Sequence, residues 1–424
     1  MSSLSERDQQ VIWHPYTQMQ LSSPPVAITK GEGVYLVDED GNKYIDAVSS
    51  WWVNIHGHSH PYIAQKVAEQ LLKLEHTIFA GFTHEPAVLL AERLLKILPG
   101  NQARIFYSDN GSTAVEVAVK MALQYWSNKG QSRKKIIALE HAYHGDTFGA
   151  MAVSARSSFT DPFSSLLFDV IRIPFPAKEM EAGTVETLKQ QIHTNEGQIA
   201  AFIVEPLVLG AGGMLMYDAA ILDQLINICR ENNIITIADE VMTGFGRTGK
   251  LFACDYIKTS PDIICLSKAI TGGTMPLGVT SCTQEIFNGF LSDDRSRTFF
   301  HGHSYTANPV ACAAALASLD LLLTRECIQN IQRITKQHTC FIDRNKNKPM
   351  FKNLRSIGTI LAMDFNSPEQ TSYFNSLRDQ LYNYFIDKKI LLRPLGNTIY
   401  VMPPYCISDD ELEDVYNTIE RISL

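Results

Sequence analysis

The stretch Ile234-Ile235-Thr236-Ile237-Ala238 is a short, almost wholly apolar and β-branched run that delivers two carboxylates, Asp239 and Glu240. About one strand-helix-strand unit later, Ile263-Ile264-Cys265-Leu266 delivers Ser267 and Lys268 in the same way. Working outward, Arg104 to Tyr107, Lys135 to Leu139 and Ala200 to Val204 are runs of the same kind, each next to a segment with helical spacing. Short apolar strands joined by helices imply a parallel sheet covered on both faces, so the predicted class is α/β with a mostly parallel sheet.

Outside this repeating region the pattern changes twice. Val34 to Val37 and Tyr44 to Val48 flank the turn-rich Asp38-Glu39-Asp40-Gly41 and read as a hairpin. Beyond residue 330 the spacing predicts a strand over Gly358 to Phe365, a helix around Ser376 to Asp387, strands over Ile390 to Arg393 and Thr398 to Met402, and a last helix that Ser408 and Glu411 cap as a box. Residues 1–60 and 330–424 are therefore expected to form a smaller α/β lobe beside a large domain over 61–329.

The chain has 424 residues, 45% hydrophobic, with a formal charge of -8. That length supplies an ample core, and the acidic balance without a Lys/Arg stripe argues against a nucleic acid or an anionic membrane as partner. No apolar run approaches the length of a membrane span, and Met1 to Gln10 is too polar for a signal peptide, so the cytoplasm is the expected compartment. The eight cysteines include no CxxC pair and are read as reduced, largely buried thiols.

In an open parallel sheet, ligands gather at the carboxyl ends of the strands. There, Gly111-Ser112-Thr113 opens a helix and offers N–H and O–H donors to a phosphate, although taken alone an ordinary N-cap explains it better. The next strand end presents Tyr143 within Glu140 to Thr147, and two further ends present Glu205 and the pair Asp239-Glu240. Lys268, at the lip of an apolar strand and followed by Gly272 and Gly273, is placed to lose proton affinity by desolvation. Pyridoxal 5'-phosphate needs a lysine to bind its aldehyde, a carboxylate to keep its ring nitrogen protonated, a phosphate cup and an aromatic ring. Lys268, Asp239, Gly111 with Ser112, and Tyr143 supply all four.

Two other patterns are set aside. Gly244 to Lys250 spells G-x-G-x-x-G and most of a P-loop, but Leu251 cannot ligate Mg²⁺ and Asp239 to Thr243 separate it from the strand, so it reads as a tight loop carrying Arg247. The alternating His56, His58 and His60, and His301 with His303, lack a zinc ligand set, and no metal is expected.

Asp239 to Lys250, followed by Leu266-Ser267-Lys268-Ala269-Ile270-Thr271-Gly272-Gly273, resembles the signature of the class III, ω-type aminotransferases, and the likeness runs from about Trp13 to Tyr405. Trp13-His14-Pro15-Tyr16, Ser49-Ser50-Trp51-Trp52, Tyr143 to Thr147 and Arg393-Pro394-Leu395-Gly396 are similar to the branch that serves biotin synthesis, aminating 8-amino-7-oxononanoate with S-adenosylmethionine. The resemblance implies the type I fold of pyridoxal phosphate enzymes, a cytoplasmic homodimer and sites at the subunit interface.

Carried onto this sequence, the resemblance implies that Lys268 binds the cofactor, Asp239 pairs with its ring nitrogen, and Gly111 with Ser112 holds the phosphate. His303 and Ser304 would reach the phosphate from the other subunit, with Thr306 as a rival donor. Tyr16, Trp51, Trp52, Tyr143, Gly302 and Arg393 would line the substrate pocket, with Asp146 supporting recognition. Alone, the tryptophans and Arg393 read better as core aromatics and a surface arginine. A nine-carbon keto acid, however, wants an apolar trough and a distal cation, and these residues suit both needs. Competing readings are lysine as amino donor, another ω-aminotransferase or aminomutase, and a non-catalytic cofactor-binding protein.

Overall fold

The computed structural model describes residues 3–367, 369, 371 and 373–422. Its centre is a seven-stranded sheet made of β1 (Gln102–Ser108), β2 (Lys135–Leu139), β3 (Ile171–Ile173), β4 (Ile199–Val204), β5 (Ile235–Asp239), β6 (Ile263–Leu266) and β7 (Gly278–Thr283). Their spatial order is β1-β7-β6-β5-β4-β2-β3. Six strands run the same way, while β7 is antiparallel to both of its neighbours. Strands β4, β5 and β6 are buried along their whole length, as their apolar sequences demand.

Two strands differ from the expectation. β7, Gly-Val-Thr-Ser-Cys-Thr, has no apolar run and yet is entirely buried. Its hydroxyls are satisfied internally: Thr280 donates to the Ala114 carbonyl at 2.8 Å and Ser281 to Gln102 Oε1 at 2.8 Å, which removes the cost of burying them. β3 is a three-residue edge strand, too short to show a period.

The expected hairpin is a three-stranded meander, Ile28–Glu32, Tyr35–Asp38 and Lys43–Asp46, and its last strand pairs in parallel with Ile390–Leu391. One four-stranded sheet thus joins the two ends of the chain. A second small sheet pairs Phe351–Ile357, Ile360–Phe365 and Thr398–Val401. The final helix, Asp409–Glu420, starts with the Ser408–Glu411 capping box. All eight cysteines are free; six are buried, whereas Cys340 and Cys406 are exposed. Among the described residues, no helix is long and apolar enough to cross a membrane.

Candidate active site

The segments that follow β1, β2, β4, β5 and β6 converge on one cavity of about 660 Å³, lined among others by Gly111, Ser112, Tyr143, Asp146, Glu205, Asp239 and Lys268. That volume lies within the usual range for small-molecule and cofactor sites. Asp239 is the last residue of β5 and is registered beside Cys265 of β6, so Lys268 emerges from the adjacent strand.

Lys268 sits at the start of a short 3₁₀ turn with φ of 48°. Burial pushes its ammonium down to about 8, against the opposing pull of Asp239 and Glu205. Its Nζ lies 4.5 Å from the centroid of Trp52, whose ring face favours the cation, and desolvation outweighs that attraction. A lysine so placed presents a free amine much more often than an exposed one does.

Asp239 Oδ2 is 2.7 Å from His144 Nδ1, and its Oδ1 accepts the Val241 N–H at 3.1 Å. His144 is buried, and its Nε2 has no partner among the described residues. The neighbouring Glu205 accepts N–H groups from Tyr143 at 2.9 Å and Gly210 at 3.0 Å, and burial pushes its carboxyl up to about 7. Glu240, adjacent to Asp239 in sequence, turns away. It accepts from Thr243 Oγ1 at 2.5 Å and from the N–H groups of Ala253 at 3.1 Å and Cys254 at 2.7 Å, fastening the loop over Gly244 to Lys250. Of the two adjacent carboxylates, only Asp239 therefore faces the cavity.

Helix α1 (Gly111–Asn128) begins at this cavity, capped by Asn110, which bonds reciprocally with Thr113. Thr113 is thereby committed to the cap, while the N–H groups of Gly111 and Ser112 have no acceptor within the helix. The approach is close: a Cβ at Gly111 would lie 2.6 Å from Val241 Cγ1, and one at Gly145 would lie 2.0 Å from Ser112 Oγ. Two glycines thus keep open a cradle at a helix N-terminus, where an anion is favoured. The buried hydroxyl of Thr147 and the His144 Nε2, on two residues that line the cavity, have no hydrogen-bond partner among the described residues. The donor set fits pyridoxal phosphate.

Tyr143 is linked outward. The Tyr16 hydroxyl lies 3.1 Å from that of Tyr143 and donates to Asp146. Burial raises the proton affinity of both phenols, so each stays neutral. The Tyr16 ring packs on Trp51 at 5.5 Å, and the Arg393 guanidinium lies 4.5 Å over the Trp51 ring. Arg393 is half-buried and has no ion-pair partner among the described residues. Tyr16, Trp51 and Arg393 do not line the cavity itself; they continue from its lining residues Tyr143 and Asp146 as a chain of ring contacts.

Gly302, His303 and Ser304 are not brought to this cavity within one chain. They belong to an irregular, largely exposed segment leading to helix α2 (Pro309–Leu322). There the Thr306 hydroxyl donates to the His303 carbonyl at 2.8 Å and accepts the His303 N–H at 3.0 Å, leaving Ser304 as the uncommitted hydroxyl. The histidine-rich segment is structural. His56 bonds Ser318 Oγ at 3.0 Å and is held neutral by burial, down to about 3, while His58 bonds Asp46 at 2.9 Å. Arg247, in the glycine-rich loop, is fully buried and donates to the carbonyls of Pro403 at 2.9 Å and Trp52 at 3.3 Å. Sequence reasoning missed His144 as the partner of Asp239; its place one residue after Tyr143 was the available signal.

A desolvated lysine facing a hydrogen-bonded carboxylate, beside a helix N-terminus kept clear by glycines, is the constellation that defines a pyridoxal-phosphate-dependent transferase. Residues 16–423 match the aminotransferase class-III family, and the chain belongs to it. It is 47% identical over 416 residues to the adenosylmethionine-8-amino-7-oxononanoate aminotransferase of Synechococcus elongatus, covering 96% of this chain and 97% of that one. The enzyme of the same description from Staphylococcus aureus is 35% identical over 436 residues, covering 99% and 96%. The crystal structure of the adenosylmethionine-8-amino-7-oxononanoate aminotransferase of Methanocaldococcus jannaschii superposes with a TM-score of 0.94 at 37% identity, over 99% of both chains. That of the omega transaminase from Pseudomonas jessenii in complex with PMP does so with a TM-score of 0.93 at 26% identity, over 99% of this chain and 97% of that one.

Proposed function

We propose that this chain transfers an amino group from S-adenosylmethionine to 8-amino-7-oxononanoate, giving 7,8-diaminononanoate for biotin synthesis by a ping-pong cycle. The observation that carries the choice of acceptor is the half-buried Arg393, stacked on Trp51 and without an ion-pair partner among the described residues. A distal carboxylate on a long apolar chain is the ligand such a cation and trough would select. The relatives named for this reaction support the reading along nearly the whole chain.

When bound, pyridoxal phosphate supplies an aldehyde that takes up and returns the amino group and a protonated ring that withdraws electrons from the substrate Cα. The chain's own residues have separate tasks. Gly111 and Ser112 hold the phosphate through the helix N-terminus. Asp239, oriented by His144, would hold the proton at the ring nitrogen, and Tyr143 would offer its ring to the cofactor's. Lys268 would hold the cofactor's aldehyde through its amine, and the same amine would move the proton at the substrate Cα. Tyr16 and Asp146 bind the polar end of the substrate, Trp51 and Trp52 wall its apolar chain, and Arg393 binds its far carboxylate.

The working form in this reading is a cytoplasmic homodimer in which Gly302, His303 and Ser304 complete the partner's site. Residues 1–60 and 330–424 would form the small lobe and 61–329 the large domain. Single-turnover spectra of the holoenzyme with S-adenosylmethionine or lysine, followed by 8-amino-7-oxononanoate, test the function. Spectral conversion by S-adenosylmethionine and its reversal by the keto acid are expected. No reversal by the keto acid would exclude this acceptor, and conversion by lysine alone would reassign the donor.

A further inference from the structure

Ser49, Ser50, Trp51 and Trp52 all have positive φ, at 51°, 45°, 72° and 76°, and none is glycine. They form one turn of left-handed helix, closed by the Trp52 N–H on the Val48 carbonyl at 2.9 Å and the Val53 N–H on the Ser49 carbonyl at 2.9 Å. L-residues visit this region singly; a run of four persists only where the surroundings impose it.

One buried carboxylate has the contacts to impose it. Asp46, 0% exposed, ends the strand Lys43–Asp46. Its Oδ1 accepts the N–H of Val48 at 3.3 Å and of Ser50 at 2.9 Å. Its Oδ2 accepts the Ser50 hydroxyl at 2.7 Å and lies 2.9 Å from His58 Nε2. His58 is fixed in turn by Asn54, 3.0 Å from its Nδ1. The turn aims two indoles in different directions: Trp52 at Lys268 Nζ, 4.5 Å from the ring centroid, and Trp51 at Tyr16 and Arg393. Asp46 itself is not among the residues lining the cavity.

We propose that Asp46 is a positioning residue, which holds the left-handed turn and through it sets both tryptophans for the long-chain keto acid. The inference rests on the reading of Trp51 and Trp52 as walls for that acid. It assigns the selectivity of the trough to a carboxylate that touches neither substrate nor cofactor.

The test uses holoenzyme labelled with 5-fluorotryptophan, whose four tryptophans give four fluorine resonances, assigned with Trp51→Phe and Trp52→Phe. In Asp46→Ala the Trp51 and Trp52 resonances should move while that of Trp126, buried in helix α1, stays in place. The keto-acid KM should rise about tenfold with kcat changed less than about threefold, the signature of lost uniform binding. Adding Ser50→Gly to Asp46→Ala should return both readouts toward the parent, because glycine adopts positive φ without steric cost. Asp46→Asn keeps the Oδ1 acceptor and should stay within about threefold of the parent KM.

Unmoved Trp51 and Trp52 resonances in Asp46→Ala, or a change that neither Ser50→Gly nor Asp46→Asn reverses, would overturn the proposal. If Asp46→Ala does not fold, Ser50→Ala removes one of the four bonds; it should shift the Trp51 resonance, and no shift counts against the role of Asp46. Resonances that respond as described in an enzyme that never accepts the keto acid would refute the substrate reading and leave the positioning role intact.

Discussion

The Asp239 carboxylate is joined to the His144 imidazole at 2.7 Å, with both residues almost wholly buried in the lining of the cavity. With Asp239 as a carboxylate, which can only accept, the ring donates from Nδ1, and this contact fixes the orientation of Asp239. His144→Ala should leave Asp239 with only the Val241 N–H and weaken its hold on the cofactor. A hydrogen bond to a charged group is worth about 1.5–3 kcal/mol, so cofactor dissociation should rise by roughly 10- to 100-fold. Equilibrium dialysis of the holoenzyme measures this, and unchanged affinity would show that His144 does not support Asp239.

Glu205 carries two N–H groups on two carboxylate oxygens. In Glu205→Gln the amide NH₂ must face one of those donors, which should cost about 1–3 kcal/mol in urea unfolding of the apoenzyme. Burial raises the Glu205 carboxyl from its ordinary 4.5 to about 7, so between those values the folded chain binds a proton that the unfolded chain does not. Stability from this group therefore falls as pH rises from 4.5 to 7, and the substitution should flatten that slope. An equal slope in both proteins would count against the shift.

For Lys268 the sign is opposite. Its folded value of about 8 lies below the ordinary 10.5, so within that window the unfolded chain holds the extra proton and apoenzyme stability rises with pH. The kinetic consequence is more accessible. Reconstitution of apoenzyme with pyridoxal phosphate requires the free amine, so its stopped-flow rate should climb with a midpoint near 8. A midpoint near 10.5 would mean that the lysine is not desolvated.

Much of this site could be read from the chain because strand ends are local features: an apolar run followed by Asp239 or by Ser267-Lys268 puts those residues at the carboxyl end of a strand whatever the rest does. The antiparallel β7 was hidden because its hydroxyls find partners only in the folded state, on Ala114 and Gln102. For the same reason no local pattern separates Asp239 from Glu240; the choice is made by the N–H groups of Ala253 and Cys254, which claim Glu240. The left-handed turn carrying Trp51 and Trp52 was invisible too. Its residues are the kind that disfavour positive φ, at a cost of about 1–2 kcal/mol each, and Asp46 is needed to hold them there.

Arg393 stacks on Trp51 without a carboxylate partner among the described residues, and its removal should separate the two half-reactions. Arg393→Ala should raise the KM for 8-amino-7-oxononanoate by roughly 10- to 100-fold, the worth of a charge-assisted pair, and change the amino-donor half-reaction less than about threefold. Lysine at this position should not restore the loss fully, because an ammonium lacks the planar fork and stacks poorly on an indole. Equal losses in both half-reactions would remove Arg393 from acceptor selection.

The most direct test of the site is to fix the cofactor where it is bound. Holoenzyme treated with sodium borohydride, digested and examined by mass spectrometry should carry the reduced pyridoxyl phosphate on the peptide containing Lys268, and Lys268→Ala should carry none and lack the visible absorbance. Label on a different lysine, or an equally labelled and coloured Lys268→Ala protein, would contradict the placing of the cofactor between Lys268 and Asp239.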